Sequence, residues 1–402
     1  MGEKKFWDYL LNRSKSSEKD VKWGLVLSGG GTKGAYEVGA WRAIRELGIP
    51  IRGIAGTSIG ALNAALFLCC EPEEIEEIYR TIKLSDILPL SGNIDPEKNV
   101  FDPSNLLAIA KEFIIKRGLT NAPLRKTMEL HLDIEKIYAS PLDLGVVTFD
   151  IQAREPMRIF KEDIEKNKLI DYLLASANFP IYKTQNVDGK HFLDGGLYDN
   201  MPFNLLIERG YTHLIVIDIE GMGETQKAEQ AGSFYMKMIT CSEDLGGTFE
   251  FNRERINNNI KLGYLDTLKA FHELFGNYYF FRRPEFTDLL LNFDLETISG
   301  LETAARAYGI PRYQICKAED FLKELEKRYD EADRQFKESF PNRERRPDLL
   351  EFRRLLNSGS IIPAVADMLM KQPGSRKAIA KKFPEAESAA RALIELKNFR
   401  KL

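Results

Sequence analysis

The fold is decided by residues 24–68, GLVLSGGGTKGAYEVGAWRAIRELGIPIRGIAGTSIGALNAALFL. Gly24–Leu27 and Ile51–Ala55 are short apolar runs typical of buried strands, and an amphipathic helix is predicted between them. Ile59–Leu68 follows the second strand as an apolar helix. Short crossovers of this kind place neighbouring strands parallel, with a right-handed connection. We therefore predict an α/β fold with a mostly parallel central sheet flanked by helices.

The same alternation of strands and helices continues to about residue 220. Leu144–Phe149 is a predicted strand, Leu169–Asn178 a predicted helix, and Asp188-Gly189 the turn of a predicted hairpin. His213–Ile219 is one more apolar strand. Beyond residue 223 the strand signals fade and helical patterns dominate. The helices predicted there are Asn252–Phe275, Leu301–Tyr308, Ala318–Phe336, Asp348–Leu356, Ile361–Met370 and Ser388–Lys397.

Three segments follow from these patterns. They are a polar N-terminal leader at 1–20, an α/β domain at 21–285, and a helical C-terminal region at 286–402. Within the α/β domain, residues 72–141 are mostly helical or looped and are expected to form a cap over a site. Lys and Arg outnumber Asp and Glu two to one in residues 341–402. A solvated helical face is the simpler interpretation of this basic end, and docking on a membrane or partner is the alternative.

The composition excludes several classes of protein. The 402 residues carry a formal net charge of −3, so no nucleic-acid partner is expected. The four cysteines include the adjacent pair Cys69 and Cys70 but no C-x-x-C, which predicts neither disulfides nor a metal site and favours a reducing cytoplasm. The leader lacks the apolar core of a signal peptide, and the longest apolar run, Ile59–Cys70, is far shorter than the roughly 20 residues that span a bilayer. A cytoplasmic protein is predicted, at most peripheral at a membrane surface.

A nucleophile is predicted at Ser58, in the G-x-S-x-G pattern of residues 56–60. The pattern lies between a predicted strand and a predicted helix, where a sharp turn pushes the serine out above the sheet. The flanking glycines remove side chains that would clash in this bend. The helix that follows directs its N-terminal N–H groups toward the group that the serine attacks.

An oxyanion hole is predicted at Gly29, Gly30 and Gly31, which follow the first strand. In acyl transfer the carbonyl oxygen gains negative charge, and backbone N–H groups must already point at it. Parallel topology places this loop and Ser58 at the same edge of the sheet. Dinucleotide binding is the competing hypothesis, but the second strand ends without the acidic residue that holds the ribose, so no cofactor is predicted.

The base that serves the serine is harder to predict. His131, His191, His213 and His272 are the available histidines, and none has a convincing place in a triad. A carboxylate that acts directly is the remaining option. Asp194 ends a predicted strand and precedes Gly195-Gly196, which permits a tight turn with an exposed acid. Without the other motifs, an ordinary Asp-Gly turn would be the favoured explanation of this pattern.

The motifs taken together resemble the patatin-like phospholipases. They are Gly29–Gly34, Gly56–Gly60, the segment Ser176–Pro180, Asp194-Gly195-Gly196, and Asn200 with Pro202. The resemblance covers about residues 22–285. It implies a Ser58–Asp194 dyad without histidine, an oxyanion hole from the Gly29–Gly31 backbone, and hydrolysis of acyl lipids without a metal.

The hypothesis from the sequence is therefore a lipid acyl hydrolase. It would cleave phospholipid or other acyl esters through a Ser58 acyl-enzyme, with Asp194 as base and a lipid or acyl ester as its partner. A general carboxylesterase or a thioesterase is the alternative within the enzyme class. A non-catalytic protein that binds a membrane or a partner and retains an idle site is the alternative from a different class.

Overall fold

The computed structural model describes residues 23–89, 118–228, 234–339 and 361–400. The predicted leader at 1–20, residues 90–117 of the predicted cap and the predicted helix Asp348–Leu356 lie outside the described residues. The chain divides into two compact units, Met1–Ala270 and Phe271–Leu402, and each is described by itself. Among the described residues, no helix combines the length and the apolar character needed to cross a bilayer.

The first unit is built on an eight-stranded sheet. Its strands are β1 (Trp23–Leu27), β2 (Ile51–Thr57), β3 (Asp143–Asp150), β4 (Glu155–Phe160), β5 (Gln185–Val187), β6 (Lys190–Asp194), β7 (His213–Asp218) and β8 (Tyr235–Thr240). They lie in the order β5-β6-β3-β2-β1-β7-β8, with β4 paired to β3. The strands from β3 to β8 in this order are parallel, and β4, β5 and β6 pair antiparallel. The predicted mostly parallel α/β sheet is confirmed.

Helices flank the sheet of the first unit. They are α1 (Ala35–Glu46), α2 (Ile59–Cys69), α3 (Pro72–Thr81), α4 (Ala122–His131), α5 (Ile134–Ala139), α6 (Leu169–Ser176), α7 (Phe203–Glu208) and α8 (Arg253–Ala270). Helices α1 and α8 approach so closely that there is no room for a side chain where their glycines meet. A Cβ on Gly39 would lie 1.8 Å from the Ile260 carbonyl oxygen, and one on Gly263 would lie 1.9 Å from the Tyr36 carbonyl oxygen. Helix α8 is therefore part of the first unit, and it ends before the residue 275 predicted from sequence.

Burial explains which strands the sequence reveals. All five residues of β1 are buried, so its apolar run is continuous, as expected for a parallel strand covered on both faces. Strand β8 lies at the sheet edge, where Ile239 is buried but Tyr235 and Met238 are exposed. Its residues therefore show neither a continuous apolar run nor a clear alternation. The strand signals therefore fade after residue 223 although β8 still follows.

The second unit combines helices with a small sheet in the order β11-β10-β9. Its elements are β9 (Leu274–Phe275), β10 (Phe280–Arg282), α9 (Arg283–Asn292), α10 (Leu295–Ala307), β11 (Ile315–Cys316), α11 (Ala318–Ser339), α12 (Ile361–Lys371), α13 (Arg376–Lys382) and α14 (Pro384–Phe399). The division after Ala270 precedes the boundary expected at residue 285, because β10 joins β9 to β11 across that position. The functional boundary at 285 stays a prediction.

Candidate active site

Ser58 lies in a sharp turn between β2 and α2. Its backbone angles, φ 55° and ψ −124°, are unfavourable for a residue with a side chain and mark a strained position. The flanking glycines are required by space. A Cβ on Gly56 would lie 2.3 Å from the Gly60 backbone, and one on Gly60 would lie 2.5 Å from the Leu27 carbonyl oxygen. The strand–turn–helix structure predicted for this motif is confirmed.

The carboxylate of Asp194 meets the hydroxyl of Ser58. Ser58 Oγ donates a hydrogen bond to Asp194 Oδ2 at 2.7 Å. The register of three neighbouring strands explains this meeting. Thr57 of β2 pairs with Val147 of β3, and the next residue, Thr148, pairs with Asp194 at the end of β6. Two residues that are 136 positions apart in the chain are thus brought together at one edge of the sheet.

The surroundings of Asp194 make it a stronger base than an ordinary aspartate. Its side chain is buried, with 5% of its surface exposed. Burial raises the pKa of Asp194 to about 6, although hydrogen bonds from Ser58 and from the Gly196 N–H oppose this rise. The Gly196 N–H donates to Oδ1 at 2.8 Å and fixes the orientation of the carboxylate. A carboxyl group with this pKa is ionised at neutral pH and can accept a proton.

Histidine takes no part in this arrangement. Within the described part of the chain, neither Ser58 nor Asp194 is hydrogen-bonded to a histidine. The histidines are His131 at the end of α4, His191 exposed on β6, His213 at the start of β7 and His272 in the second unit. In this geometry the Ser58 hydroxyl donates its hydrogen bond to a carboxylate, that of Asp194, and not to an imidazole.

The glycine loop begins with an amide that is already occupied. Gly29 N–H donates to the backbone oxygen of Asn200 at 3.2 Å and to its side-chain Oδ1 at 3.1 Å. The Asn200 amide donates in return to the Gly29 carbonyl at 3.3 Å. Of the three amides predicted for the oxyanion hole, that of Gly29 is thus turned toward Asn200.

Gly30 and Gly31 carry the other two amides predicted for the oxyanion hole. Among the residues that the structure describes, neither N–H has a hydrogen-bond acceptor. Gly31 has φ +62°, and a Cβ there would lie 2.1 Å from the Thr248 carbonyl oxygen, so only glycine fits. The same carbonyl accepts the Thr32 N–H at 2.8 Å. The loop is held on one side by Asn200 and on the other by Thr248.

Ser176 supports the backbone at Ser58. Its hydroxyl accepts the Ser58 N–H at 3.0 Å and donates to the Val147 carbonyl at 2.6 Å, so both of its roles are defined. Ser176 and Asn200 lie within motifs that the sequence reveals, but their contacts leave no signal in it. Thr248 had no sequence signal, since it lies 216 residues from Thr32 in the chain.

Comparison with known proteins identifies the domain that holds this site. A family model described as "Patatin-like phospholipase" matches residues 25–207. These residues form a patatin-like phospholipase domain. The match includes Ser58, Asp194 and the glycine loop, and it ends within α7.

Relatives of the patatin-like domain include much longer proteins. A patatin-like phospholipase domain-containing protein of Caenorhabditis elegans is 30% identical over 207 residues, which are 50% of this chain and 14% of the relative. Neuropathy target esterase sws of Drosophila melanogaster is 29% identical over 211 residues, which are 50% of this chain and 13% of the relative. Lysophospholipase NTE1 of Cryptococcus neoformans is 26% identical over 211 residues, which are 52% of this chain and 12% of the relative. The chain thus spans about one seventh of the length of the curated relatives it matches.

Two solved structures align with most of this chain at low sequence identity. VipD from Legionella pneumophila aligns with 94% of this chain and 90% of its own, at 15% identity and a TM-score of 0.40. ExoU of Pseudomonas aeruginosa, in complex with SpcU, aligns with 90% of this chain and 78% of its own, at 16% identity and a TM-score of 0.24.

An apolar cavity leads away from the Ser58–Asp194 pair of the patatin-like domain. Its wall includes Leu62, Leu66, Ile78, Phe179, Phe249 and Ile256. Leu197 and Met222 also line it and remain 48% and 64% exposed, so they form its apolar rim. Walls of this kind bind hydrocarbon by removing apolar surface from water.

A buried polar network lies between this cavity and the glycine loop. Asn63 Nδ2 donates to the Gly34 carbonyl at 3.1 Å and to Glu37 Oε2 at 2.7 Å, and Tyr79 donates its hydroxyl proton to Asn63 Oδ1 at 2.8 Å. Burial holds the pKa of Glu37 well above its ordinary value, although the hydrogen bond from Asn63 opposes this rise. The network joins the end of the glycine loop to α1, α2 and α3.

Lys33 also holds the glycine loop. Its Nζ donates to the carbonyl oxygen of Glu220 at 2.8 Å. The ammonium group therefore connects the loop to the residues that follow β7. From the sequence alone, a solvated lysine is the simpler interpretation of Lys33, and a lysine that helps to hold the loop is the alternative.

Proposed function

We propose that the patatin-like domain hydrolyses acyl esters of lipids, with Ser58 as nucleophile and Asp194 as general base. The observation that carries this proposal is the 2.7 Å hydrogen bond from Ser58 Oγ to Asp194 Oδ2. A serine becomes an effective nucleophile when a base within hydrogen-bond reach accepts its proton. The raised pKa of Asp194 supports the same assignment.

The reaction would proceed in two halves. Ser58 Oγ attacks the ester carbonyl carbon while its proton moves to Asp194 Oδ2. The N–H groups of Gly30 and Gly31 stabilise the oxyanion, and the loss of one such donor costs roughly 3–4 kcal/mol of transition-state stabilisation. Asp194 then protonates the leaving alcohol. In the second half, water attacks the acyl-enzyme, Asp194 accepts the water proton, and the acid product leaves with Ser58 restored.

The apolar cavity supports a lipid as the substrate. The acyl chain would lie against the apolar wall that includes Leu62 and Leu66, with the ester carbonyl at Ser58. The names of the relatives, which include phospholipase, lysophospholipase and esterase, support the same substrate class. The apolar rim favours action at a membrane surface. A general carboxylesterase or a thioesterase is the alternative substrate class.

Released products would test the substrate class. Purified protein is incubated in parallel with phospholipid vesicles, lysophospholipid and acyl-CoA, and fatty acids are measured by mass spectrometry. We expect faster release from a phospholipid than from acyl-CoA, and no release above background by Ser58→Ala. A fluorophosphonate probe, which reacts with activated serines, should label the wild type. Labelling without release from any lipid would favour the esterase alternative, and absence of both would contradict an active site.

The pH dependence should follow Asp194. Because only its carboxylate accepts a proton, kcat/KM for a soluble short-chain ester is expected to rise as pH increases through about 6 and then to level off. The measurement is a pH–rate profile from pH 4.5 to 8.5 with a substrate whose chromophore is read independently of pH. A profile without an ionisation in the acid range would argue against Asp194 as the base.

A further inference from the structure

The adjacent cysteines at the end of α2 are not used by the proposed reaction. Cys69 is the last residue of α2 and Cys70 follows it. Their sulfur atoms lie 3.5 Å apart, and both side chains are partly exposed. The helix that begins after the nucleophile Ser58 therefore ends in two neighbouring thiols that solvent can reach.

The two thiols are chemically unequal. Hydrogen bonding from Cys70 lowers the pKa of Cys69, and the N–H of Asp133 and the charge of Lys136 act in the same direction. The pKa of Cys70 is raised, chiefly by the hydrogen bond that the two sulfur atoms share, and burial acts in the same direction. Its sulfur also lies 3.5 Å from the carbonyl oxygen of His131. Cys69 is therefore the better nucleophile, and Cys70 is the protonated partner beside it.

We propose that Cys69 and Cys70 form a redox-active pair that a hydroperoxide oxidises reversibly to a disulfide. In the first step the Cys69 thiolate attacks one peroxide oxygen, the O–O bond breaks, and the leaving oxygen takes up a proton. Cys69 becomes a sulfenic acid and the peroxide is reduced. In the second step the Cys70 sulfur attacks the Cys69 sulfur, the S–O bond breaks, and the hydroxyl leaves as water with the Cys70 proton. A low-pKa, accessible thiol beside a resolving thiol is the arrangement typical of redox-sensitive cysteines.

Chain geometry makes this disulfide easy to reduce. Consecutive Cα atoms are about 3.8 Å apart, whereas disulfide-bonded cysteines prefer roughly 4.4–6.8 Å between their Cα atoms. A disulfide between adjacent residues is therefore strained, and strained disulfides are the labile ones. The Cys70 N–H also donates to the Leu66 carbonyl at 2.8 Å, and Leu66 lines the cavity that leads from Ser58. The strain would thus fall on the last turn of α2, next to that cavity wall.

Mass spectrometry tests the pair directly. Reduced protein is treated with hydrogen peroxide, and the intact mass is measured without reductant and again after a phosphine is added. We expect the loss of two hydrogen atoms per chain, located to the peptide with Cys69 and Cys70, and full recovery on reduction. Cys70→Ser should instead accumulate a Cys69 sulfenic acid that dimedone traps. The matched control is Cys241→Ser, which removes another partly exposed cysteine and should leave the disulfide unchanged.

Two results would overturn the proposal. One is a wild-type protein that gains oxygen or dimedone at Cys69 without losing two hydrogens. The other is a Cys70→Ser variant that still loses them. Phenylarsine oxide, which bridges closely spaced thiols, provides a measurement that does not depend on peroxide. It should bind the reduced wild type and Cys241→Ser, and much more weakly Cys69→Ser and Cys70→Ser. Equal binding by all four proteins would also overturn the proposal.

Discussion

Ser58→Ala is expected to lower kcat for a short-chain nitrophenyl ester by about a thousandfold or more, because alanine has no hydroxyl with which to form the acyl-enzyme. The residual rate would come from the glycine-loop amides and the cavity, which the substitution leaves in place. Initial rates measured at saturating ester, with the circular dichroism spectrum as a check on folding, give the comparison.

The matched control for this experiment is Ser140→Ala. Ser140 follows α5 in the same unit, is partly exposed and does not line the cavity. It should retain the wild-type rate. A Ser58→Ala protein that keeps a rate near that of the wild type would show that the hydrolysis arises elsewhere, from another residue or from a contaminating esterase.

Asp194→Asn is expected to lose activity to a similar extent and, unlike most substitutions, to stabilise the fold at neutral pH. The amide cannot accept the Ser58 proton, so turnover should fall by about a thousandfold. The wild-type carboxyl has its pKa raised to about 6 by burial, so ionisation disfavours the folded state. That loss of stability is on the order of 2–3 kcal/mol above pH 6 and is absent below about pH 4, where the acid is protonated in both states.

Thermal unfolding at several pH values separates these effects. The Asp194→Asn protein should unfold at a higher temperature than the wild type at pH 8, and the difference should shrink as pH falls toward 4. Asp188→Asn is the matched control, since Asp188 lies exposed in the hairpin turn between β5 and β6. It should change neither the rate nor this pH dependence. An Asp194→Asn protein that is less stable than the wild type at pH 8 would contradict the role assigned to burial.

The parts of the fold that the sequence predicted are those with local signals. Strands β1 and β2 and helices α1 and α2 lie in one stretch, where buried apolar runs and glycine-rich turns alternate. The hairpin at Asp188-Gly189 was predicted from the turn residues alone. Edge strand β8 was missed because it is mostly not buried, and periodicity reports burial rather than hydrogen bonding.

The candidate site divides in the same way. The turn at Ser58 has a local signature in the G-x-S-x-G pattern. Asp194 was predicted from the glycines that follow it and from its resemblance to a family motif. The orientation of the glycine-loop amides depends instead on Asn200 and Thr248, which lie far away in the chain. Three consecutive glycines could not reveal that Gly29 turns its N–H toward Asn200. Long-range contacts of single polar atoms leave no periodic pattern in a sequence.

The contact between Gly31 and Thr248 bears on how the chain should be cut for expression. The family match stops at residue 207, but β7, Thr248 and α8 all come later. A fragment ending there would lack β7, which pairs with one edge of β1. The peptide groups along that edge of β1 would be left unpaired and would promote aggregation. It would also lack the carbonyl that holds the glycine loop. A recombinant fragment that includes the patatin-like domain should extend at least to Ala270.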